Sequence, residues 1–119
     1  MMKKVFHLST CSTCKRIINE LDLPEDFEFQ DIKKENLTED QLELLKNLSG
    51  NYESLFNRRA QLYRKRDLKN KNLTEKDYKD LLLEHYTFLK RPVFVIEDNI
   101  FIGNAKKNVE NLKSFLQDL

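Results

Sequence analysis

Apolar positions along the chain change their period several times, and each change marks an element. Lys3-Lys4-Val5-Phe6-His7-Leu8 is a short β-type run, and Ser9-Thr10-Cys11-Ser12-Thr13 behind it has the hydroxyl-rich composition of a turn ending in a helix N-cap. Cys14, Ile17, Ile18 and Leu21 then fall at i, i+3, i+4 and i+7, which predicts one buried helical stripe that Pro24 prevents from continuing. Phe27 and Phe29, extended by Asp31-Ile32, alternate with polar neighbours and predict a second strand.

The middle of the chain has helical period. Thr38-Glu39-Asp40-Gln41 is a capping box, and Leu42, Leu45 and Leu48 form a stripe that Gly50 ends. Asn72-Leu73-Thr74-Glu75 repeats the Asn-Leu-Thr-Glu of positions 36 to 39, with Tyr78, Leu81 and Leu82 on one face behind it. Two copies of a capping device fall short of a solenoid, which needs at least three stacked repeats. Between them, Tyr52 to Tyr63 reads as a shorter helix carrying the first arginines.

After Arg91-Pro92 the period returns to that of strands. Val93 to Ile96, the turn residues Glu97-Asp98-Asn99, and Ile100-Phe101-Ile102 before Gly103 predict a hairpin. Val109, Leu112, Phe115 and Leu116 then mark one side of a helix from Ala105 to Leu119. The order β-α-β, helical segment, β-β-α predicts an α/β protein: a thioredoxin-like mixed four-stranded sheet with helices on both faces. An all-helical segment is inserted at roughly 34–89 of a single domain spanning residues 1–119.

Composition narrows the class. Hydrophobic residues at 39% and charged residues at 34%, with two Gly and two Pro, exclude a disordered or low-complexity chain. The longest apolar run, Val93 to Ile96, is far short of the roughly 20 residues a membrane helix needs. Met1-Met2-Lys3-Lys4 imitates the start of a signal peptide, but the apolar stretch stops at Leu8, so a cytoplasmic protein is expected. A net charge of +1 argues against membrane association and direct nucleic-acid binding. The charge is unevenly spread, however: between Arg58 and Lys71 stand seven basic residues against Asp67 alone, either a solvated face or a patch that meets a ligand or partner.

Both cysteines lie in Cys11-Ser12-Thr13-Cys14, and two thiols three residues apart make no disulfide framework. A Cys at the start of a helix meets unpaired backbone N–H groups and the positive end of the helix dipole, which favour a thiolate. Cys11 is therefore the expected nucleophile, and Cys14, one turn on, can resolve an adduct on Cys11 by forming a disulfide. Ser12 and Thr13 can add hydroxyl donors. His7, four residues before Cys11, can hydrogen-bond the turn or, protonated, support the thiolate. Arg91, held extended by the following Pro92, can offer a guanidinium to an oxyanion. Two bland readings stand beside these. Cys14 can be a small buried residue on its stripe, and His7, Cys11, Cys14 and His85 meet the ligand count of a zinc site, although His85 has no second ligand at zinc-site spacing.

His7-x-x-x-Cys11-Ser12-Thr13-Cys14-Lys15, Phe56-Asn57-Arg58-Arg59 with Tyr63-Arg64, and Leu89-Lys90-Arg91-Pro92-Val93-Phe94-Val95-Ile96 with Phe101-Ile102-Gly103 together resemble the glutaredoxin-linked arsenate reductase (ArsC) and Spx family. The resemblance covers essentially the whole chain. It implies catalysis by Cys11, Cys14 and His7, substrate binding by Arg91 and by Arg58 or Arg59, and a cis bond before Pro92. It also implies an oxyanion or disulfide substrate, no bound cofactor or metal, and glutathione, glutaredoxin or thioredoxin as electron donor. A third oxyanion arginine of arsenate reductases falls near Asn104 and is missing here, and the second cysteine resembles Spx rather than arsenate reductases. The alternative reading is therefore a redox-switched transcription regulator that binds the carboxy-terminal domain of the RNA polymerase α-subunit, with Gly50 near the family's contact glycine.

Overall fold

A computed structural model describes residues 2–118, which divide into two units: residues up to Lys33 together with those from Arg91, and the intervening Lys34–Lys90. The first unit is built on four strands, β1 (Lys3–His7), β2 (Glu28–Asp31), β3 (Val93–Ile96) and β4 (Asn99–Ile102), in the order β2-β1-β3-β4. β1 runs parallel to β2, pairing Val5 with Phe29 and His7 with Asp31, whereas β3 is antiparallel to both β1 and β4. This is the mixed α/β sheet that the element order predicts.

Two helices complete the unit, α1 (Ser12–Leu21) and α5 (Lys106–Gln117), the latter numbered in chain order after three helices of the second unit. Ile17 and Leu21 from α1 and Val109 and Leu112 from α5 pack with Val5, Phe94, Ile96 and Phe27 in one buried cluster. Because Val5 pairs with Phe94, these strand residues share one face, so both helices of the unit lie on that face rather than on opposite ones. Phe6, Val93 and Val95, which point the other way, are equally buried. Burial on both faces explains why β3 reads as a continuous apolar run instead of alternating. The hairpin closes through Glu97 and Asp98, with Glu97 at φ 57°, the left-handed conformation that tight two-residue turns require. α1 stops at Leu21 with Asp22 in the same left-handed region (φ 50°), two residues before Pro24.

The second unit contains α2 (Glu39–Ser49), α3 (Gln61–Lys65) and α4 (Glu75–Glu84) with short 3-10 turns between them. Reciprocal capping boxes start α2, through Thr38 and Gln41, and α4, through Thr74 and Asp77. Gly50 ends α2 at φ 100° and donates its N–H to the Lys46 carbonyl.

The helix expected over Tyr52 to Tyr63 is not formed. A 3-10 turn at Glu53–Leu55 gives way to an extended Phe56 (φ −85°, ψ 130°) that bridges to Leu89, and α3 begins only at Gln61. Two competing interactions break the helix. Phe56 is fully buried, with its ring stacked on Phe88 at 5.3 Å and tilted against Tyr78 at 4.9 Å, an aromatic cluster that outweighs local helix propensity. Asn57 donates its N–H to the Phe88 carbonyl at 2.7 Å while its side-chain oxygen accepts from the Arg59 N–H at 3.0 Å, a local alternative to helical pairing. Among the described residues no helix is long and apolar enough to cross a membrane.

Candidate active site

The turn between β1 and α1 carries the thiols. Cys11 is the N-cap of α1, with extended backbone (φ −91°, ψ 114°), and its N–H and C=O are engaged by the Leu8 carbonyl at 3.0 Å and the Lys15 N–H at 3.1 Å. Its side chain occupies the place where Ser, Thr or Asp ordinarily caps a helix. No side-chain cap hydrogen bond is made, and the backbone N–H groups of Cys14 and Thr13 act on the sulfur by lowering its proton affinity. Cys14 is completely buried, whereas Cys11 is partly open to solvent.

These surroundings move the two thiols apart. Burial is the largest single influence on Cys11 and raises its pKa, but the Cys14 N–H, the Cys14 thiol, the Thr13 N–H and the Arg91 charge together outweigh it, so Cys11 lies below the ordinary value of 9.0. Cys14 is pushed up to about 11, chiefly by burial and further by the neighbouring Cys11, while the Leu8 N–H and Arg91 pull weakly the other way. Arg91 therefore acts on both sulfurs. Its peptide bond to Pro92 is cis, and the Pro92 carbonyl accepts the Gly103 N–H at 2.8 Å. The Gly103 carbonyl in turn accepts from the Asn108 side chain at 2.9 Å, which fixes the bend holding the exposed Asn104.

At the end of β1, His7 packs edge-on against Phe29 at 5.7 Å and has Asp31 as its charge partner. Burial lowers its pKa more than Asp31 raises it. Asp31 was not legible as a site residue. Its carboxylate accepts hydrogen bonds from the Ser9 hydroxyl, from the Ser9 N–H at 3.5 Å and from the Lys33 N–H at 3.2 Å, and the Ser9 hydroxyl, first among these, holds it below the usual carboxylate range. The signal is present only in strand register: pairing of His7 with Asp31 brings the end of β2 beside the turn that follows β1.

The remaining sequence candidates divide between the units. Ser12 is exposed at the first position of α1, and Thr13 acts on Cys11 through its backbone N–H. Arg58 and Arg59 belong to the second unit. There Arg58 is engaged through Nη2, which donates to Glu53 at 2.6 Å and to the Tyr78 hydroxyl at 3.0 Å, and the guanidinium lies 5.8 Å from the Tyr78 ring centre. Arg59 is exposed and its side chain has no ion pair among the described residues. His85 caps a 3-10 turn through Nδ1, which accepts the Thr87 N–H at 3.1 Å. Among the described residues no three His, Cys, Asp or Glu side chains converge on a point that could hold a metal.

The model of the ArsC family matches residues 6–112. Among solved structures, one described as a possible arsenate reductase from Streptococcus mutans is 31% identical, with a TM-score of 0.75 over 93% of this chain and 97% of that one. A protein related to the ArsC family from Bacteroides fragilis is 25% identical, with a TM-score of 0.78 over 94% and 98% of the two chains. The arsenate reductase from Vibrio cholerae, at 16% identity and a TM-score of 0.74 over 93% and 98%, shares the fold. No curated protein gives a match.

Proposed function

The chain belongs to the ArsC family, and on that footing we propose that it is a thiol oxidoreductase in which Cys11 attacks an oxyanion or disulfide and Cys14 resolves the adduct. One observation carries this reading: at a single helix start, the partly open thiol is shifted toward the anion and the buried thiol toward the protonated form. A nucleophile and a resolving group need that division, since only a thiolate attacks and the second thiol must stay intact until the first has reacted.

With an oxyanion such as arsenate, the Cys11 thiolate bonds to the central atom and one hydroxyl leaves, taking a proton from solvent to become water. Cys14 then loses its proton to solvent and attacks the Cys11 sulfur; the Cys11–Cys14 disulfide forms as the bond from Cys11 to the central atom breaks, and its electron pair stays on the central atom, which departs reduced by two. With a disulfide, Cys11 displaces one thiolate and Cys14 the other. Derivatising Cys11 removes its negative charge and its demand on the Cys14 proton, two of the influences that keep Cys14 protonated, so the second step is promoted by completion of the first. Glutathione, glutaredoxin or thioredoxin would return the pair to the dithiol in the cytoplasm.

Arg91 faces the developing charge at the thiols. Of the two insert arginines, Arg59 is the one we assign to the substrate, because Arg58 is already engaged by Glu53 and Tyr78. The test is oxidation of NADPH dependent on arsenate or on a small disulfide, coupled through each donor system, beside a pull-down with the carboxy-terminal domain of the polymerase α-subunit. Turnover that Cys11→Ser abolishes, without capture, supports the enzyme. Capture without turnover overturns it in favour of the redox-switched regulator.

A further inference from the structure

Seven cations and one acid stand between Arg58 and Lys71, which leaves the rest of the chain at −5. The fold disposes of the seven unequally. Arg58 pairs with Glu53 and Arg66 with Glu84, both acids from outside the segment, and Arg59 is assigned to the substrate. Arg64, Lys65, Lys69 and Lys71 remain, all exposed and without an ion pair among the described residues. Asp67, the acid that stands among them, does not offset them. It occupies the left-handed region (φ 53°) at the turn out of α3, and its carboxylate accepts from the Asn70 side chain at 2.7 Å. Lysines on other helices do find acids, as Lys79 finds Glu39 at 3.3 Å and Lys113 finds Glu20.

The segment holding these four cations is anchored. Ala60 and Leu68 are buried, and the Tyr63 ring meets Phe56 edge-on at 5.9 Å. The Asp67 N–H donates to the Arg64 carbonyl and the Lys71 N–H to the Leu68 carbonyl, each at 3.1 Å, so the backbone is fixed on both sides of the turn. Like charges held on a fixed backbone repel one another, and an anionic partner relieves that repulsion.

We propose that Arg64, Lys65, Lys69 and Lys71 form a docking surface for an acidic protein segment, one that offers several carboxylates in a row. The four are distributed from the end of α3 to the residue after the 3-10 turn at Leu68–Asn70, which suits several carboxylates better than one small anion. A nucleic acid is the poorer match. A duplex carries a charge about every 1.7 Å along its axis and would run past these residues onto a chain whose remainder is net negative. The segment also offers no exposed ring for a base to stack on, since Tyr63, its one aromatic residue, is half-buried against Phe56. The docking surface does not depend on the assignment of the thiols.

Short poly-L-glutamate serves as the acidic probe, titrated at low salt into the isotope-labelled full chain and followed by NMR, with a DNA duplex of equal charge beside it. Amide shifts should concentrate between residues 58 and 71, and binding should weaken as salt rises. The pair Lys65→Glu and Lys69→Glu should weaken binding about tenfold, because each reversal replaces an exposed attraction by a repulsion. The pair Lys106→Glu and Lys107→Glu changes net charge equally at two exposed cations of α5 and should weaken it less than about threefold. Lys65→Gln with Lys69→Gln, which removes the charges without reversing them, should give an intermediate loss and decides the matter if the reversed pair does not fold. Equal losses in the Lys65/Lys69 and Lys106/Lys107 pairs, tighter binding of the duplex, or no binding of poly-L-glutamate overturns the proposal. Self-association of the chain alone that the Lys65 and Lys69 variants abolish overturns it too, and gives the surface to a second copy.

Discussion

The Cys14 thiol donates a hydrogen bond to the Cys11 sulfur, and this one contact lowers the proton affinity of Cys11 while raising that of Cys14. The pair divides its labour by burial: the donor is completely enclosed and the acceptor is not. Removing the donor should make Cys11 a weaker acid. Cys14→Ala should lower the alkylation rate of Cys11 at pH 7 about threefold to tenfold, within the worth of a partly exposed charge-assisted hydrogen bond. Cys14→Ser, whose hydroxyl also donates, should lower it less. The two variants are compared by iodoacetamide kinetics.

Alkaline pH should weaken the fold through Cys14. Its folded pKa of about 11 lies above the 9.0 of the unfolded chain, so between these values the unfolded state has released a proton that the folded state still holds. Stability from this source is present in full below pH 9 and is lost as pH rises toward 11. Denaturant midpoints measured from pH 8 to 11 should fall less steeply in Cys14→Ala than in the wild type.

The two insert arginines should differ in kind. Arg59→Lys keeps charge but loses the bidentate fork, and should weaken oxyanion binding by about 1.5 to 3 kcal/mol, read by calorimetric titration with arsenate or sulfate. Arg58→Lys should leave that binding unchanged and instead cost about 0.5 to 1 kcal/mol of stability, since its contacts with Glu53 and Tyr78 are half exposed. Replacing Lys65 or Lys69 by Ala should do neither.

Much of this architecture could be read from the residues because local signals and tertiary packing agree in it. The stripe from Cys14 to Leu21, the two capping boxes, the Gly50 cap and the hairpin after Pro92 each combine a period with a matching terminator, and each forms where its signal stands. Tyr52 to Tyr63 failed because the deciding partners, Phe88 and Leu89, are some thirty residues away in sequence and leave no local mark. The site divides in the same way. Cys11 was visible from its position at a helix start, whereas Asp31 acts through strand register, and its carboxylate looks like any other acidic residue at the end of a short strand.

The central claim is that Cys11 is the reactive thiolate and Cys14 its protonated reserve, and peptide-resolved alkylation of the reduced protein across pH 5 to 10 tests it most directly. Iodoacetamide labelling followed by mass spectrometry should show Cys11 modified first at every pH, with a titration midpoint below 9, and Cys14 unlabelled until well above it. Equal rates for the two residues near pH 7, or faster labelling of Cys14, would contradict the account.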